Sequence, residues 1–291
     1  MLHTIRNQYL TVAASEKGAE LQSIRAFDGT EYLWQGDARY WKDRALNIFP
    51  YVARLTEGQY EMDQKRYKMP IHGLAPYVRF SFSGGERDAM TFVTTDTEET
   101  RNHYPRRFAF RVSYALREDT LSVTYEVENR DEKTLLFGLG GHPGFNVPLR
   151  TGLRFSDYRL EFSQPCQPRR IGFTPDCFLD GTDAPFPLEG GTQIPLRHEL
   201  FDDDAVVLTD MTREVTLFTP MDAHGLTVSF PQMPYLGLWH APETEAPYLC
   251  IEPWCTLPSK QDEIAVFERD ELLRLLPGEI LRNQWQIRFF W

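Results

Sequence analysis

The sequence has few cysteines and lacks the features that mark membrane and secreted proteins. Its four cysteines, at positions 166, 177, 250 and 255, form no Cys-x-x-Cys pair and have no His-x-x-x-His partner, so their spacing predicts no metal site. No run approaches the roughly 18 apolar residues of a membrane-spanning helix, and the first residues contain no hydrophobic signal segment. We therefore expect a cytoplasmic protein with no membrane partner, whose thiols need not form disulfides.

The chain also has fewer basic residues than acidic ones. The chain has 31 Lys and Arg residues against 42 Asp and Glu residues, a formal net charge of −11. Such a balance argues against nucleic acid as a partner. The sequence also contains no glycine-rich phosphate loop, no Gly-x-Ser-x-Gly motif and no internal repeat.

Alternation of apolar and polar residues dominates what is present. Residues 108–116 alternate, turn at 118–119 and are answered by residues 121–127, which predicts a β-hairpin with one polar face. Roughly a dozen or more short strands of this kind predict an all-β fold, a large antiparallel β-sandwich in a single domain over residues 1–291. The segment 262–273 is the only predicted helix.

The segment from Gly138 to Pro148 contains the first candidate site residue. Three glycines in four residues precede His142, and Pro143 and Gly144 follow it. This pattern predicts a rigid turn at a strand end in which the histidine meets a ligand. An imidazole with an ordinary pKa of about 6.5 donates or accepts a proton near neutrality. The alternative is a histidine that caps a tight turn.

The second candidate is Glu252, which follows an apolar strand and precedes Pro253 and Trp254. A glutamate there should be partly buried, and burial would raise its pKa and make it a better base near neutrality. Arg54 follows an apolar stretch, and His72 is followed by a glycine and bracketed by prolines. The alternative for Glu252 is a structural salt bridge with Arg54.

A carboxylate and histidines without a nucleophile motif favour proton transfer, such as isomerisation or epimerisation of a polar substrate. Trp239 and Trp254 would suit the C–H face of a sugar. Trp41, in a polar loop, is interpreted either as core packing or as a stacking surface for a ligand.

Four segments resemble the aldose 1-epimerase (mutarotase) family, most closely its LacX-like branch. They are Asn47–Leu55, Ile71-His72-Gly73, Gly141–Asn146 and Ile251–Trp254, and their order and separation are those expected across nearly the whole chain. The resemblance implies the large β-supersandwich of galactose mutarotases. It also implies that Glu252 removes the proton from the C1 hydroxyl and that His142 protonates the ring oxygen. The ring then opens, the C1–C2 bond rotates, and closure gives the other anomer.

The same resemblance assigns substrate-binding residues. Arg54 and His72 would bind and polarise the sugar, and either Asp203 or Asp204 would match the family's substrate-binding aspartate. Trp239 is added as a substrate-binding candidate for its aromatic ring alone. No cofactor is implied. A sister branch that acts on hexose 6-phosphates has an arginine-rich first motif that is absent here, so an unphosphorylated aldohexose is preferred. We expect a monomer or a homodimer.

Two other functions are compatible with a β-sandwich. The first is a non-catalytic carbohydrate-binding or sensing protein on the same scaffold. The second is a polysaccharide lyase or glycosidase, which would need a catalytic tyrosine or a second carboxylate near Glu252.

Overall fold

The computed structural model describes residues 1–291, which form two large β-sheets and three small ones. The large sheets have nine and seven strands, two of the small sheets have three strands each, and the last has two. The strand pairings are antiparallel with one exception.

The strands are short and follow one another closely along the chain. Their bounds are β1 Leu2–Arg6, β2 Leu10–Ser15, β3 Leu21–Ala26, β4 Ala45–Ile48, β5 Gln59–Met62, β6 Lys65–Lys68, β7 Ser81–Gly85, β8 Ala89–Thr95, β9 Phe108–Arg117, β10 Thr120–Asn129, β11 Leu135–Phe137, β12 Gly140–Asn146, β13 Arg159–Phe162, β14 Arg169–Phe173, β15 Leu179–Pro185, β16 Gln193–Pro195, β17 Val206–Thr209, β18 Glu214–Thr219, β19 Asp222–Ser229, β20 Tyr235–Trp239, β21 Tyr248–Trp254, β22 Ala265–Val266, β23 Leu273–Leu275 and β24 Ile280–Phe290. The helical elements are α1, Glu98–Arg101, and the single 3-10 turns Thr56–Gly58, Phe155–Asp157 and His198–Phe201. None of them has the length and hydrophobicity needed to span a bilayer.

The strand order defines each sheet. The nine-stranded sheet has the order β16-β13-β18-β19-β24-β10-β9-β8-β7, and the seven-stranded sheet has the order β15-β14-β17-β20-β21-β12-β4. The small sheets are β1-β2-β3, β22-β5-β6 and β11-β23. Among these strands only β22 and β5 pair in parallel.

The two large sheets pack face to face, which confirms the predicted antiparallel β-sandwich. Asn47 on β4 shows the contact between them, because its side-chain amide donates to the Tyr114 hydroxyl of β9 at 3.1 Å. The Tyr125 hydroxyl of β10 donates back to the Asn47 Oδ1 at 2.9 Å. Inward-facing residues of β9 and β10, such as Phe110 and Val123, are fully buried, and each stabilises the fold by about 1.5–3 kcal/mol through lost apolar exposure.

The predicted helix over 262–273 is wrong. Residues 265–266 form β22, in which Ala265 pairs with Tyr60 of β5, and residues 273–275 form β23 against β11. Phe267 lies fully buried next to β22 and stacks on Tyr60 at a ring distance of 3.9 Å. A helix of this length is marginal by itself, so packing against existing strands decides the conformation.

The predicted turn at His142 is also wrong, because His142 lies inside β12, between β21 and β4. The neighbouring glycines serve close packing rather than chain reversal. A Cβ on Gly140 would lie 2.8 Å from the Trp254 ring, and one on Gly141 would lie 2.8 Å from the Trp285 ring. The glycines therefore let two tryptophans approach the strand, which holds His142 in a fixed sheet position.

Candidate active site

A cavity of about 220 Å³ opens where loops meet the seven-stranded sheet. Residues from distant parts of the chain line it, including every residue that the sequence predicted for the site: Arg54, His72, His142, Asp203, Asp204, Trp239 and Glu252. The fold thus brings the predicted residues together, although His142 and Glu252 come from strand interiors rather than from strand ends.

Strand pairing places His142 and Glu252 side by side. The antiparallel register joins Gly140 to Trp254 and Gly144 to Cys250, so position 142 lies across from position 252. The His142 Nε2 is 3.3 Å from the Glu252 Oε2. Both residues are almost completely buried, with exposed fractions of 6% and 1%. A cross-strand neighbour relation of this kind is set by the sheet and does not depend on a mobile loop.

The surroundings of this pair disfavour isolated charge. Burial raises the pKa of Glu252 well above its usual value, and the negative charge of Asp204 adds to this effect. Burial lowers the pKa of His142 well below its usual value, with a contribution from His72. The His142 Nδ1 and the Glu252 Oε2 have no hydrogen-bond partner within the protein. A ligand in the cavity can therefore satisfy them.

His72 lies in a tight loop against the end of β4. It has a positive φ of 63°, and a Cβ at the next residue, Gly73, would lie 2.4 Å from the Phe49 carbonyl oxygen. The Ala53 N–H donates to the His72 Nδ1 at 3.3 Å, which places the proton of the neutral ring on Nε2. Burial and the nearby Arg54 lower the pKa of His72 to about 4. His72 is therefore a neutral hydrogen-bond donor near neutral pH.

Asp204 links three walls of the cavity. The Trp239 indole N–H donates to its Oδ1 at 2.6 Å, and the Arg54 guanidinium lies 3.8 Å from its Oδ2. Arg54 therefore pairs with Asp204 and not with Glu252, the alternative left open by the sequence. Asp203 lies beside it at the cavity rim and is exposed.

Two tryptophans enclose the imidazole of His142. The Trp41 ring stacks on it at a centroid distance of 4.7 Å and an angle of 28°. The Trp239 ring meets it edge-on at 5.7 Å. Trp41 comes from the loop before β4, so it forms a stacking wall of the cavity, one of the two interpretations that the sequence allowed.

Comparison with known proteins decides the family. A sequence model described as aldose 1-epimerase matches residues 1–287. The chain belongs to the aldose 1-epimerase family. Within this family it is similar to the plasmid-encoded protein LacX of Lactococcus lactis subsp. lactis, with 31% identity over 294 residues and 97% of each chain covered.

Similarity to solved structures shows that this chain has the galactose mutarotase-like fold. A galactose mutarotase related enzyme from Lactobacillus acidophilus is 31% identical, with a TM-score of 0.94 over 99% of this chain and 97% of that one. A galactose mutarotase-like protein from Lactobacillus casei ATCC 334 is 32% identical, with a TM-score of 0.93 over 99% and 100% of the two chains. The fold implied by the sequence motifs is confirmed.

Sequence reasoning missed several residues that line the cavity of this aldose 1-epimerase family chain. Asp43 comes from the loop before β4, and Phe173 and Cys177 come from β14 and the turn that follows it. Tyr77 lies at the rim and is half exposed. None of these residues belongs to a motif, and only the path of the chain around the sheet brings them to the site.

Proposed function

We propose that this chain is an aldose 1-epimerase that interconverts the α and β anomers of an unphosphorylated aldohexose. The observation that carries the proposal is the buried contact between the Glu252 carboxyl and the His142 imidazole at 3.3 Å. Both groups face a cavity that also holds hydrogen-bond donors and aromatic rings. Membership in the aldose 1-epimerase family supports the same reaction.

The two groups supply the acid and the base that ring opening needs. With the shared proton on His142, the Glu252 carboxylate accepts the proton of the C1 hydroxyl while the imidazolium donates to the ring oxygen. The C1–O5 bond breaks, and the open-chain aldehyde rotates about C1–C2. The O5 hydroxyl then attacks the other face of the aldehyde and gives its proton back to His142. Glu252 returns its proton to the C1 oxygen, which completes the other anomer. Proton transfer from positioned groups of this kind accelerates a reaction by about 10²–10⁴-fold.

The proton balance of the buried pair suits this cycle. Moving one proton from the Glu252 carboxyl to the His142 Nε2 converts a neutral pair into an ion pair without changing the net charge of the site. The surroundings that disfavour an isolated charge on either group therefore tolerate the pair as a unit. A coupled pair with one shared proton is ready for both directions of the reaction.

The remaining residues position the sugar. The His72 Nε2–H and the Arg54 guanidinium supply donors for its hydroxyl groups. The Trp41 and Trp239 rings supply apolar faces for its C–H bonds. Each is held by contacts within the protein, which limits the entropy lost when the substrate binds.

The charge of the cavity favours a neutral sugar over a phosphorylated one. Arg54 is the only lysine or arginine among the lining residues, and it already lies near Asp204. Asp43 and Asp203 add further negative groups to the wall. A phosphate dianion would meet more carboxylates than cations there.

Exchange spectroscopy by NMR, with glucose and galactose as substrates, tests the proposal. The protein should accelerate α/β exchange, and Glu252→Gln and His142→Asn should each lower the rate by about 10² or more. Circular dichroism should show that both variants remain folded. Saturable sugar binding without faster exchange would instead favour the non-catalytic carbohydrate-binding protein. Wild-type rates in both variants would reject the assigned roles.

A further inference from the structure

A third reactive side chain lies next to the buried pair. Cys250 stands two residues before Glu252 on β21, so both side chains leave the same face of the strand. Donor atoms of His142, Cys250 and Glu252 all lie within 4.8 Å of one another. The neighbour of Cys250 on β12 is Gly144, where a Cβ would lie 3.4 Å from the thiol sulfur. A larger side chain at that position would crowd the sulfur.

The donor set suits a thiophilic divalent cation, although donor separations of up to 4.8 Å mean that the thiol would have to move closer to the other two groups on binding. Zinc binds imidazole nitrogen, thiolate sulfur and carboxylate oxygen at about 2.0–2.3 Å, and a tetrahedron of such ligands has edges of about 3.3–3.8 Å. The observed separation of 3.3 Å between the His142 Nε2 and the Glu252 Oε2 already equals such an edge. Three protein ligands leave a fourth position, which the cavity can fill with water.

An unpartnered polar atom points to the same conclusion. The Glu252 Oε2 is buried without a hydrogen-bond partner, and the neighbouring Cys250 is fully buried. Orphaned polar atoms in a closed interior are rare and favour a ligand that satisfies them.

The charge balance permits a cation in this interior. A neutral imidazole, a thiolate and a carboxylate carry two negative charges, which cancel the two positive charges of the ion. Binding would release the protons of the Cys250 thiol and the Glu252 carboxyl into the cavity water. No net charge is then buried, so the usual penalty for an isolated ion is avoided.

We propose that His142, Cys250 and Glu252 form a binding site for a zinc-class divalent cation, and that the bound cation blocks anomer exchange. The ion would occupy the lone pairs that the acid and the base need for proton transfer. Binding does not depend on the proposed epimerase activity, whereas the block rests on it.

Binding is tested with Co²⁺ as a spectroscopic probe and Zn²⁺ in calorimetry, on the full chain. Wild type should show a thiolate-to-cobalt charge-transfer band, and Cys250→Ala should lose the band and bind Zn²⁺ at least about 10-fold more weakly. Cys255→Ala, a change at another buried thiol just past the end of β21, should behave as wild type. Absence of the band in wild type, or its survival in Cys250→Ala, would overturn the site.

The block is tested by NMR exchange with and without Zn²⁺. Wild type and Cys255→Ala should lose activity on addition of Zn²⁺ and regain it with a chelator. Whatever rate Cys250→Ala retains should not respond to Zn²⁺. A wild-type rate that is insensitive to a cation bound at the thiol would overturn the block. If wild type binds Co²⁺ through the thiolate but never accelerates exchange, the metal site stands and the proposed epimerase function fails.

Discussion

Two regions of the molecule pair a histidine with carboxyl groups, and they reach opposite electrostatic states. In the cavity, His142 meets Glu252 in a buried contact. Near the surface, His224 on β19 lies between two aspartates. Its Nε2 is 2.8 Å from the Asp28 Oδ2, and its Nδ1 is 2.5 Å from the Asp222 Oδ1. We call the second set, His224 with Asp28 and Asp222, the surface clasp.

Hydrogen bonds in the surface clasp stabilise the charges of its carboxylates, whereas the cavity pair lacks such stabilisation. Burial alone would raise the pKa of Asp28, but hydrogen bonds from His224 and Thr30 outweigh it and lower that pKa to about 2. The same balance lowers the pKa of Asp222, where the His224 backbone N–H and ring both donate. Glu252 has no comparable set of donors, and burial dominates its pKa.

The comparison shows that residue type does not decide what a histidine–carboxyl pair does. The clasp carboxylates keep about a quarter of their side-chain surface in water and accept several hydrogen bonds, so their charges are compensated. The cavity pair keeps unpartnered atoms and almost no solvent. The first arrangement suits stability and the second suits reactivity.

The largest expected effect is a difference in catalytic rate between variants of the two regions. Glu252→Gln should lower the anomer exchange rate by about 10² or more, because the proton acceptor is lost. His224→Ala should leave the rate of the folded protein unchanged, because its contacts lie outside the cavity. NMR exchange on both variants measures the contrast. An equal loss in both would remove the functional difference between the regions.

The same two variants should show the opposite contrast in stability, with His224→Ala less stable than Glu252→Gln. His224→Ala leaves two clasp carboxylates without their shared donor and should lower the free energy of unfolding by about 1–3 kcal/mol. Glu252→Gln removes a carboxyl that burial disfavours and should not lower it. Urea denaturation measures both, with His103→Ala as a control histidine whose hydrogen bond is exposed. A Glu252→Gln protein less stable than His224→Ala would break the comparison.

The sequence predicts the β-hairpins better than it predicts the conformation of the remaining segments. The alternation in residues 108–127 is local, and the observed register, Leu116 with Leu121 and Tyr114 with Val123, follows from the turn between the two strands. The helix prediction for residues 262–273 fails because their composition says nothing about β5, which lies some 200 positions earlier. The turn prediction at His142 fails because sequence alone does not show that Trp254 and Trp285 pack against the preceding glycines.

The sequence identifies the main site residues but not their neighbours. Local composition singles out Arg54, His72, His142 and Glu252, and the resemblance to the family supports the same four. The proximity of Cys250 to His142 arises from strand register. The clasp joins Asp28 to a histidine 196 positions away. Such long-range contacts leave no local pattern in the sequence.

A smaller effect should come from Gly237, which faces Glu252 across β20 and β21. A Cβ at this position would lie 3.2 Å from the Glu252 Cβ and 3.1 Å from the Trp254 ring. Gly237→Ala should displace the carboxyl by a few tenths of an ångström and lower the exchange rate by about 10-fold, since catalysis depends on position. Gly29→Ala, at a turn in the clasp region where a Cβ meets no atom but φ is +92°, should leave the rate of the folded protein unchanged. An unaltered rate in Gly237→Ala would show that the carboxyl tolerates displacement.

The smallest expected effect is a pH dependence that belongs to the clasp. The pKa of Asp28 is about 2 in the folded protein and about 3.9 in an unfolded chain. Because the folded value is the lower one, the carboxylate contributes stability above about pH 4 and loses that contribution as the pH falls towards 2. Asp28→Asn lacks this contribution.

The difference in unfolding free energy between wild type and Asp28→Asn should therefore be largest near neutral pH and shrink between pH 4 and 2. Urea denaturation across this range measures it. Asp119→Asn, in the turn between β9 and β10 and without a histidine partner, serves as the control for the loss of one carboxylate. A difference for Asp28→Asn that stays constant down to pH 2 would mean that the clasp holds by packing, not by charge, and the contrast with the cavity pair would then rest on burial alone.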